Sequence, residues 1–160
     1  MSYKGKFSIY LHCTGFKSVN IAYALRFELS FVETDTSQNF YYTFCKDNHS
    51  YGSTDWPVER RKIEELNSIT FKLEMQLIDI YDIDKNAIIT PKNVNDIIKP
   101  IKIINVPQEK FVWNLTTKTL NTMKKLINNE KMKSKIFILF DLKWRIIIYP
   151  DGTDKHNKDM

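Results

Sequence analysis

Two cysteines and two histidines are the side chains of this sequence whose chemistry could support a nucleophile or a metal site. His12 directly precedes Cys13, and His49 lies four residues after Cys45. A histidine beside a cysteine can activate the thiol, and both residue types bind zinc. However, His12 and Cys13 are neighbours in a strand pattern, so their side chains point to opposite faces, and no Cys-x-x-Cys spacing occurs. The sequence therefore favours structural or surface roles for all four residues.

Three aspartates near one strand end are the other candidates for chemistry. Asp79, Asp82 and Asp84 could hold a cation, but a solvated strand terminus explains the same spacing. No glycine-rich phosphate loop and no recognisable Ser-His-Asp arrangement occurs in the sequence. We therefore expect a protein that is not an enzyme and that uses neither a cofactor nor a metal ion.

The charge of the chain suggests a basic surface without a clear nucleic-acid face. The 160 residues carry a net charge of +5, and the pI is about 9.1. The lysines are scattered and alternate with acids, as in residues 62–65, so a solvated surface is favoured over a nucleic-acid partner. No apolar run approaches the roughly 20 residues of a membrane span, and we expect no membrane partner.

Cysteine usage and the first residues favour a cytoplasmic location. Two cysteines suit a reducing compartment better than a disulfide scaffold. The first five residues are polar or small and lead directly into a strand pattern, so no signal peptide is expected.

Period-two alternation of apolar residues dominates the chain and predicts an all-β protein. The polar run Glu33–Gln38 predicts a hairpin, and the apolar face blurs near Ile78, where a bulge is expected. Residues 47–56 are interpreted as a loop, residues 58–66 as a short helix or an irregular strand, and residues 119–128 have helical spacing. The predicted strands cover residues 6–13, 17–32, 39–45, 69–81, 111–115, 136–140 and 144–149. Seven to eight strands with a short helical connector predict an antiparallel β-sandwich.

The two ends of the chain, joined tail to head, resemble part of a known family. Lys143-Trp144 and Pro150-Asp151-Gly152, followed by residues 6–13, resemble the second and third strands of the MATH (meprin and TRAF homology) domain. Other segments are similar to further strands of that family in cyclic order: Phe111–Leu115, Phe27–Phe31, Ser37–Phe44 and Ile69–Ile80. Ser50-Tyr51-Gly52 stands where the family usually has Asp-Trp-Gly.

The resemblance implies one circularly permuted domain over residues 1–160. Residues 1–82 would be the C-terminal part of the family fold, residues 109–160 its N-terminal part, and residues 83–108 a connector. It further implies that strand 144–149 pairs antiparallel with strand 7–13, and that Met1 and Met160 lie close together. We also expect Trp113 and Trp144 to be buried and Trp56, in a loop, to matter less.

The family's peptide groove implies a set of binding residues in this chain. Tyr51 stands where the family usually has tryptophan, and Ser53 where it has an aromatic residue, which implies a shallower and more polar pocket. Tyr10 is opposite in phase to its apolar neighbours and should leave the core, whereas Phe27 and Phe44 fit a core role equally well. The implied peptide-binding residues are Tyr10, Phe27, Tyr42, Phe44, Tyr51, Gly52 and Ser53.

The function that this resemblance implies is a non-catalytic module that binds short linear peptide motifs. In the family such domains serve as adaptors in ubiquitin pathways or bind receptor tails. A structural, self-assembling unit remains open, with residues 1–82 of one chain completing residues 109–160 of another. A nucleic-acid-binding β-domain is a third class, supported by charge alone.

Overall fold

The computed structural model describes residues 7–16, 20–58, 60–83, 87–88, 108–127 and 129–152. The strands within these ranges are β1 (Ser8–Gly15), β2 (Ile21–Phe31), β3 (Thr36–Phe44), β4 (Ser50–Ser53), β5 (Ile69–Asp82), β6 (Ala87–Ile88), β7 (Gln108–Leu115), β8 (Met132–Lys133), β9 (Phe137–Leu139) and β10 (Leu142–Tyr149). The helices are α1 (Arg60–Glu64) and α2 (Thr117–Lys124), and a 3-10 turn covers Val32–Thr34.

Two antiparallel sheets form a sandwich, which confirms the predicted all-β class. Sheet I has the strand order β4-β1-β10-β8, and β9 also pairs with β10. Sheet II has the order β3-β2-β5-β6, and β7 also pairs with β5. Contacts between β3 and β4 and between β7 and β9 show that these strands meet at opposite sides of the sandwich.

Strands from the two ends of the chain are neighbours in sheet I. β1 and β10 pair antiparallel within one chain, with Ser8 opposite Tyr149 and Leu11 opposite Ile146. This pairing confirms the expectation drawn from the joined ends of the sequence. The predicted proximity of Met1 and Met160 lies outside the described residues, as does the helix expected in the connector.

The core lies between the sheets and contains the inward-facing residues that alternate along β1, β2, β5 and β10. Trp144 is fully buried there, as expected, whereas Trp113 is only half-buried. The expectation for Trp56 was wrong, because this loop residue is 1% exposed. Its indole Nε1–H donates to Thr36 Oγ1 at 2.8 Å, and its backbone N–H donates to the Phe7 carbonyl at 2.8 Å.

Local signals in the sequence explain most of the remaining elements. The β2–β3 hairpin turns through the 3-10 segment and Asp35, whose φ of 52° places it in the left-handed region. β5 contains the expected bulge, because Leu25 pairs with Leu77 whereas the neighbouring Ala24 pairs with Asp79. The ambiguous residues 58–66 contain α1, and neither helix of the described ranges is long and apolar enough to cross a bilayer.

Candidate peptide-binding edge

A wall of aromatic rings closes the sandwich where β4 lies over β3. The ring of Tyr51 stacks on Tyr42 with centroids 4.1 Å apart, and it lies perpendicular to the Phe40 ring with centroids 5.9 Å apart. Tyr51 is 38% exposed, so this aromatic wall of Phe40, Tyr42 and Tyr51 reaches the surface. Behind it, the ring centroid of Phe44 lies 5.0 Å from that of Tyr42 and 5.1 Å from that of Trp144, which links the wall to the core.

The strand period explains why these rings meet. Phe40 and Tyr42 pair with Phe27 and Leu25 of β2, so they share the inner face of sheet II. Tyr51 pairs with Leu11, a core residue of β1, so its side chain also points inward. Because β3 and β4 are both edge strands, the inward rings fill the gap between the two sheets at their margin.

Gly52 allows β4 to approach β1 closely. A Cβ atom at this position would lie 2.1 Å from the Ile9 carbonyl oxygen and 2.7 Å from the Tyr10 Cα. Both atoms belong to the backbone, so no side-chain movement could relieve the clash. Ser53 follows in the same strand, pairs with Ile9 and accepts a hydrogen bond from the Asp55 N–H at 3.3 Å.

The seven residues implied by the resemblance fall into three places: the aromatic wall with β4, the core, and the outer face of sheet I. Tyr42 and Tyr51 meet in the aromatic wall, and Gly52 and Ser53 lie in β4 beside them. Phe27 and Phe44 are core residues with 1% and 0% exposure.

Tyr10 lies apart from the wall, on the outer face of sheet I. It belongs to a small buried cluster with Ile147 and Tyr149, which confirms that its side chain leaves the main core. Tyr10 pairs with Gly52 in the β1–β4 register. Tyr10 and Tyr51 therefore approach the β4 edge from opposite faces of the same sheet.

The backbone edge beside the wall is open in the part of the chain that the structure describes. There β4 pairs only with β1, and β3 pairs only with β2. An edge strand presents unpaired N–H and C=O groups that can receive another strand. Side chains of a strand added to β4 would face the aromatic wall and the outer face alternately.

The outer face of sheet I also carries basic groups that the sequence did not bring together. His12 pairs with Arg145 across β1 and β10, and the His49 ring meets the His12 ring at 4.6 Å. Burial is the largest cause that lowers the pKa of His12, and together with charge repulsion from His49, Lys133, Arg145 and Lys131 it brings this pKa from 6.5 to about 4. These residues come from four separate segments, so no local spacing could reveal the cluster.

The depressed pKa of His12 predicts a loss of stability in mild acid. Its folded pKa of about 4 lies below the unfolded value of 6.5, so only the unfolded state gains a proton between these values. The free energy of unfolding should therefore fall as the pH drops from 6.5 to about 4. The stabilisation that comes from neutral His12 should be fully present above pH 6.5. Denaturant unfolding at several pH values should show a shallower decline for His12→Gln than for the wild type. Parallel declines for the two proteins would contradict the prediction.

The cysteine and aspartate candidates do not form a reactive centre in the described residues. Burial raises the pKa of the Cys13 thiol to about 12, so it carries almost no thiolate at neutral pH. Asp79 is buried beside the β5 bulge, and its carboxylate accepts the Ile80 N–H at 2.9 Å. Asp84 lies outside the described residues. Within those residues, no three His, Cys, Asp or Glu side chains gather in a way that could hold a metal ion.

A cleft at one end of the sandwich contains none of the implied binding residues. Its volume is about 630 Å³, and it lies between the β2–β3 turn and the α1 region. Glu33, Asp35 and Glu65 give it an acidic rim, with Lys62 and Leu66 alongside. The aromatic wall is therefore a separate surface from this cleft.

Comparisons of the chain with models of protein families, with curated proteins and with solved structures found no match. The MATH resemblance therefore stays a prediction that rests on the residues quoted above.

Proposed function

We propose that this domain is a non-catalytic interaction module that binds an extended peptide along the open edge of β4. The observation that carries the proposal is the aromatic wall of Phe40, Tyr42 and Tyr51 beside an edge strand. Added strands bind through backbone hydrogen bonds, and pockets for alternate side chains provide the specificity.

The register of β4 assigns a side to each residue of the added strand. A peptide residue beside Tyr51 would face the aromatic wall, and the next one, beside Gly52, would face the outer side of sheet I. Gly52 presents no side chain there, and its cross-strand partner Tyr10 is only 6% exposed, so that second residue would remain largely in solvent. Ser53 and the Tyr51 hydroxyl favour small polar residues in the peptide.

The resemblance to MATH domains supports the same function, because that family binds short linear motifs. An adaptor role in ubiquitin or receptor signalling is part of this proposal. A cytoplasmic location remains a prediction from the sequence.

Loss of the Tyr51 ring should weaken peptide binding while the fold stays intact. After selection of a ligand on a peptide array, calorimetry should give a dissociation constant on the order of micromolar, because the interface is small. Tyr51→Ala should reduce the binding free energy by about 1–2 kcal/mol.

The matched control is Tyr41→Ala. Tyr41 neighbours Tyr42 in β3 and is 45% exposed, but it pairs with Arg26 on the outer face of sheet II, away from the wall. Its replacement should leave the affinity unchanged. Equal losses in both variants, or no ligand from the array, would refute the proposed site.

Self-assembly through the same edges is the second candidate, favoured by the open sides of β3 and β4 in the described residues. Light scattering distinguishes it from the first. A mass that rises with protein concentration and that falls with a competing edge peptide would support assembly. A constant monomer mass with saturable peptide binding would support the module.

A further inference from the structure

A cluster of basic side chains lies on the outer face of sheet I, apart from the aromatic wall. Its centre is the cross-strand pair of His12 and Arg145, with the His49 ring 4.6 Å from His12. Lys133 pairs with Ile147, two residues along β10 from Arg145, and Lys131 is the nearby residue before β8. These five residues are called the basic cluster below.

The charged groups around His12, at the centre of the basic cluster, are positive. Every described group that acts electrostatically on His12 is a lysine, an arginine or a histidine. The His12 Nδ1 and the Arg145 Nε atoms are buried and have no hydrogen-bond partner among the described residues. No hydrogen bond to these two atoms ties the side chains in place, so each can turn toward an anion without losing a bond there.

The His49 ring is held in place by a hydrogen bond to the backbone. The Lys46 carbonyl can only accept a hydrogen bond, so the His49 Nδ1–H donates to it at 3.1 Å. This bond holds the imidazole against His12. Lys131 and Lys133 are exposed, and the other three members of the cluster are only partly buried, so an anion can reach the cluster from solvent.

We propose that the basic cluster binds a phosphate-class anion, either inorganic phosphate or a phosphate monoester. The planar guanidinium of Arg145 can bind two phosphate oxygens at once. Lys133 and His12 can donate to the remaining oxygens. Arg145, Lys131 and Lys133 are permanently positive. Their attraction for a phosphate dianion should therefore be stronger than for a carboxylate with a single charge.

A single phosphate group fits this surface better than a nucleic-acid strand. Single-stranded nucleic acids bind to sheets largely by stacking bases on exposed aromatic rings. The aromatic residues on this face, Tyr10 and Tyr149, are only 6% and 3% exposed, so their rings cannot receive bases. The basic cluster can therefore attract a phosphate group, but this face offers no exposed ring on which a base could stack.

The site goes beyond the proposed peptide edge and does not depend on it. His12 pairs with Arg145 on one side and with Ser50 of β4 on the other. The basic cluster therefore borders the open edge of β4. A phosphorylated side chain on a bound peptide is thus one source of the anion, and free phosphate is the other.

Nuclear magnetic resonance titration of the whole chain tests the site with inorganic phosphate at constant ionic strength. The ring signals of His12 and His49 and the Arg145 Nε–H signal should shift and saturate, whereas sodium chloride should not shift them in this way. Lys133→Gln should raise the dissociation constant about tenfold, the value expected for loss of one hydrogen bond to a charged group. Lys133 is exposed, so this variant should fold normally.

The matched control is Lys72→Gln, an exposed lysine in β5 of sheet II, which should bind phosphate like the wild type. A blocked phosphoserine that competes for the site would identify a monoester as a source, and its failure would leave free phosphate. Shifts that do not saturate, or equal losses in Lys133→Gln and Lys72→Gln, would overturn the proposal. An oligothymidine should also be titrated at several salt concentrations. Binding whose affinity falls with salt as steeply as contacts to several phosphates require would overturn the proposal in favour of a nucleic-acid surface.

Discussion

Replacement of Trp144 by alanine should destabilise the fold more than any other single truncation of an aromatic residue in sheet I. Trp144 is completely buried, and its ring meets Phe44 at 5.1 Å. Its indole Nε1–H also donates to the Leu139 carbonyl at 3.0 Å, a buried hydrogen bond that the alanine variant would lose. The expected loss is about 3–5 kcal/mol in the free energy of unfolding, measured by denaturant titration. Such a loss is a large share of the stability of a typical domain.

Two other substitutions separate the parts of this effect. Trp144→Phe keeps an aromatic ring in the core but loses the hydrogen bond, so it should cost clearly less than alanine. Trp113→Ala should also cost less, because Trp113 is half-buried at the periphery of the core. If the Trp144→Ala and Trp113→Ala proteins unfolded at the same denaturant concentration, Trp144 would not be the more deeply buried of the two residues.

A methyl group at position 52 should separate β4 from β1. The Cβ of Gly52→Ala would lie 2.1 Å from the Ile9 carbonyl oxygen, so the backbones must move apart. Overpacking of this kind costs about 1–3 kcal/mol or more in the free energy of unfolding. Because Tyr51 is the adjacent residue, the displacement should also move its ring off Tyr42 and abolish peptide binding at the edge.

The other glycine of this sheet is the matched control. A Cβ at Gly15 would meet only the Lys143 side chain, at an ordinary distance of 3.6 Å. Gly15→Ala should therefore change the free energy of unfolding by no more than about 0.5 kcal/mol. Hydrogen exchange would show the difference directly, since β1 amides should lose protection in Gly52→Ala alone. Unchanged protection in Gly52→Ala would contradict the close approach of the two strands.

Part of the candidate site was predictable from local sequence. The alternation in β1 correctly separated Tyr10 from Ile9 and Leu11, and the resemblance brought Tyr42 and Tyr51 into one group. The short strand β4 was missed, because four residues with a central glycine show no recognisable period. Trp56 was misjudged for a related reason, since a loop residue gives no periodic signal of burial.

The amino-acid sequence by itself determined the long strands and which face of each is apolar. A strand places successive side chains on opposite faces, so the pattern within one segment is sufficient for that. The strand periods did not decide which strands lie at the edges or which side chains meet across them. The family resemblance supplied the β1–β10 pairing, and the tertiary structure decided the rest. Tyr51 reaches Tyr42 only because β4 and β3 end their sheets on the same side, and His12 reaches Arg145 only because β1 pairs with β10. These contacts join residues far apart in the chain, and the period of a single strand contains no information about its neighbours.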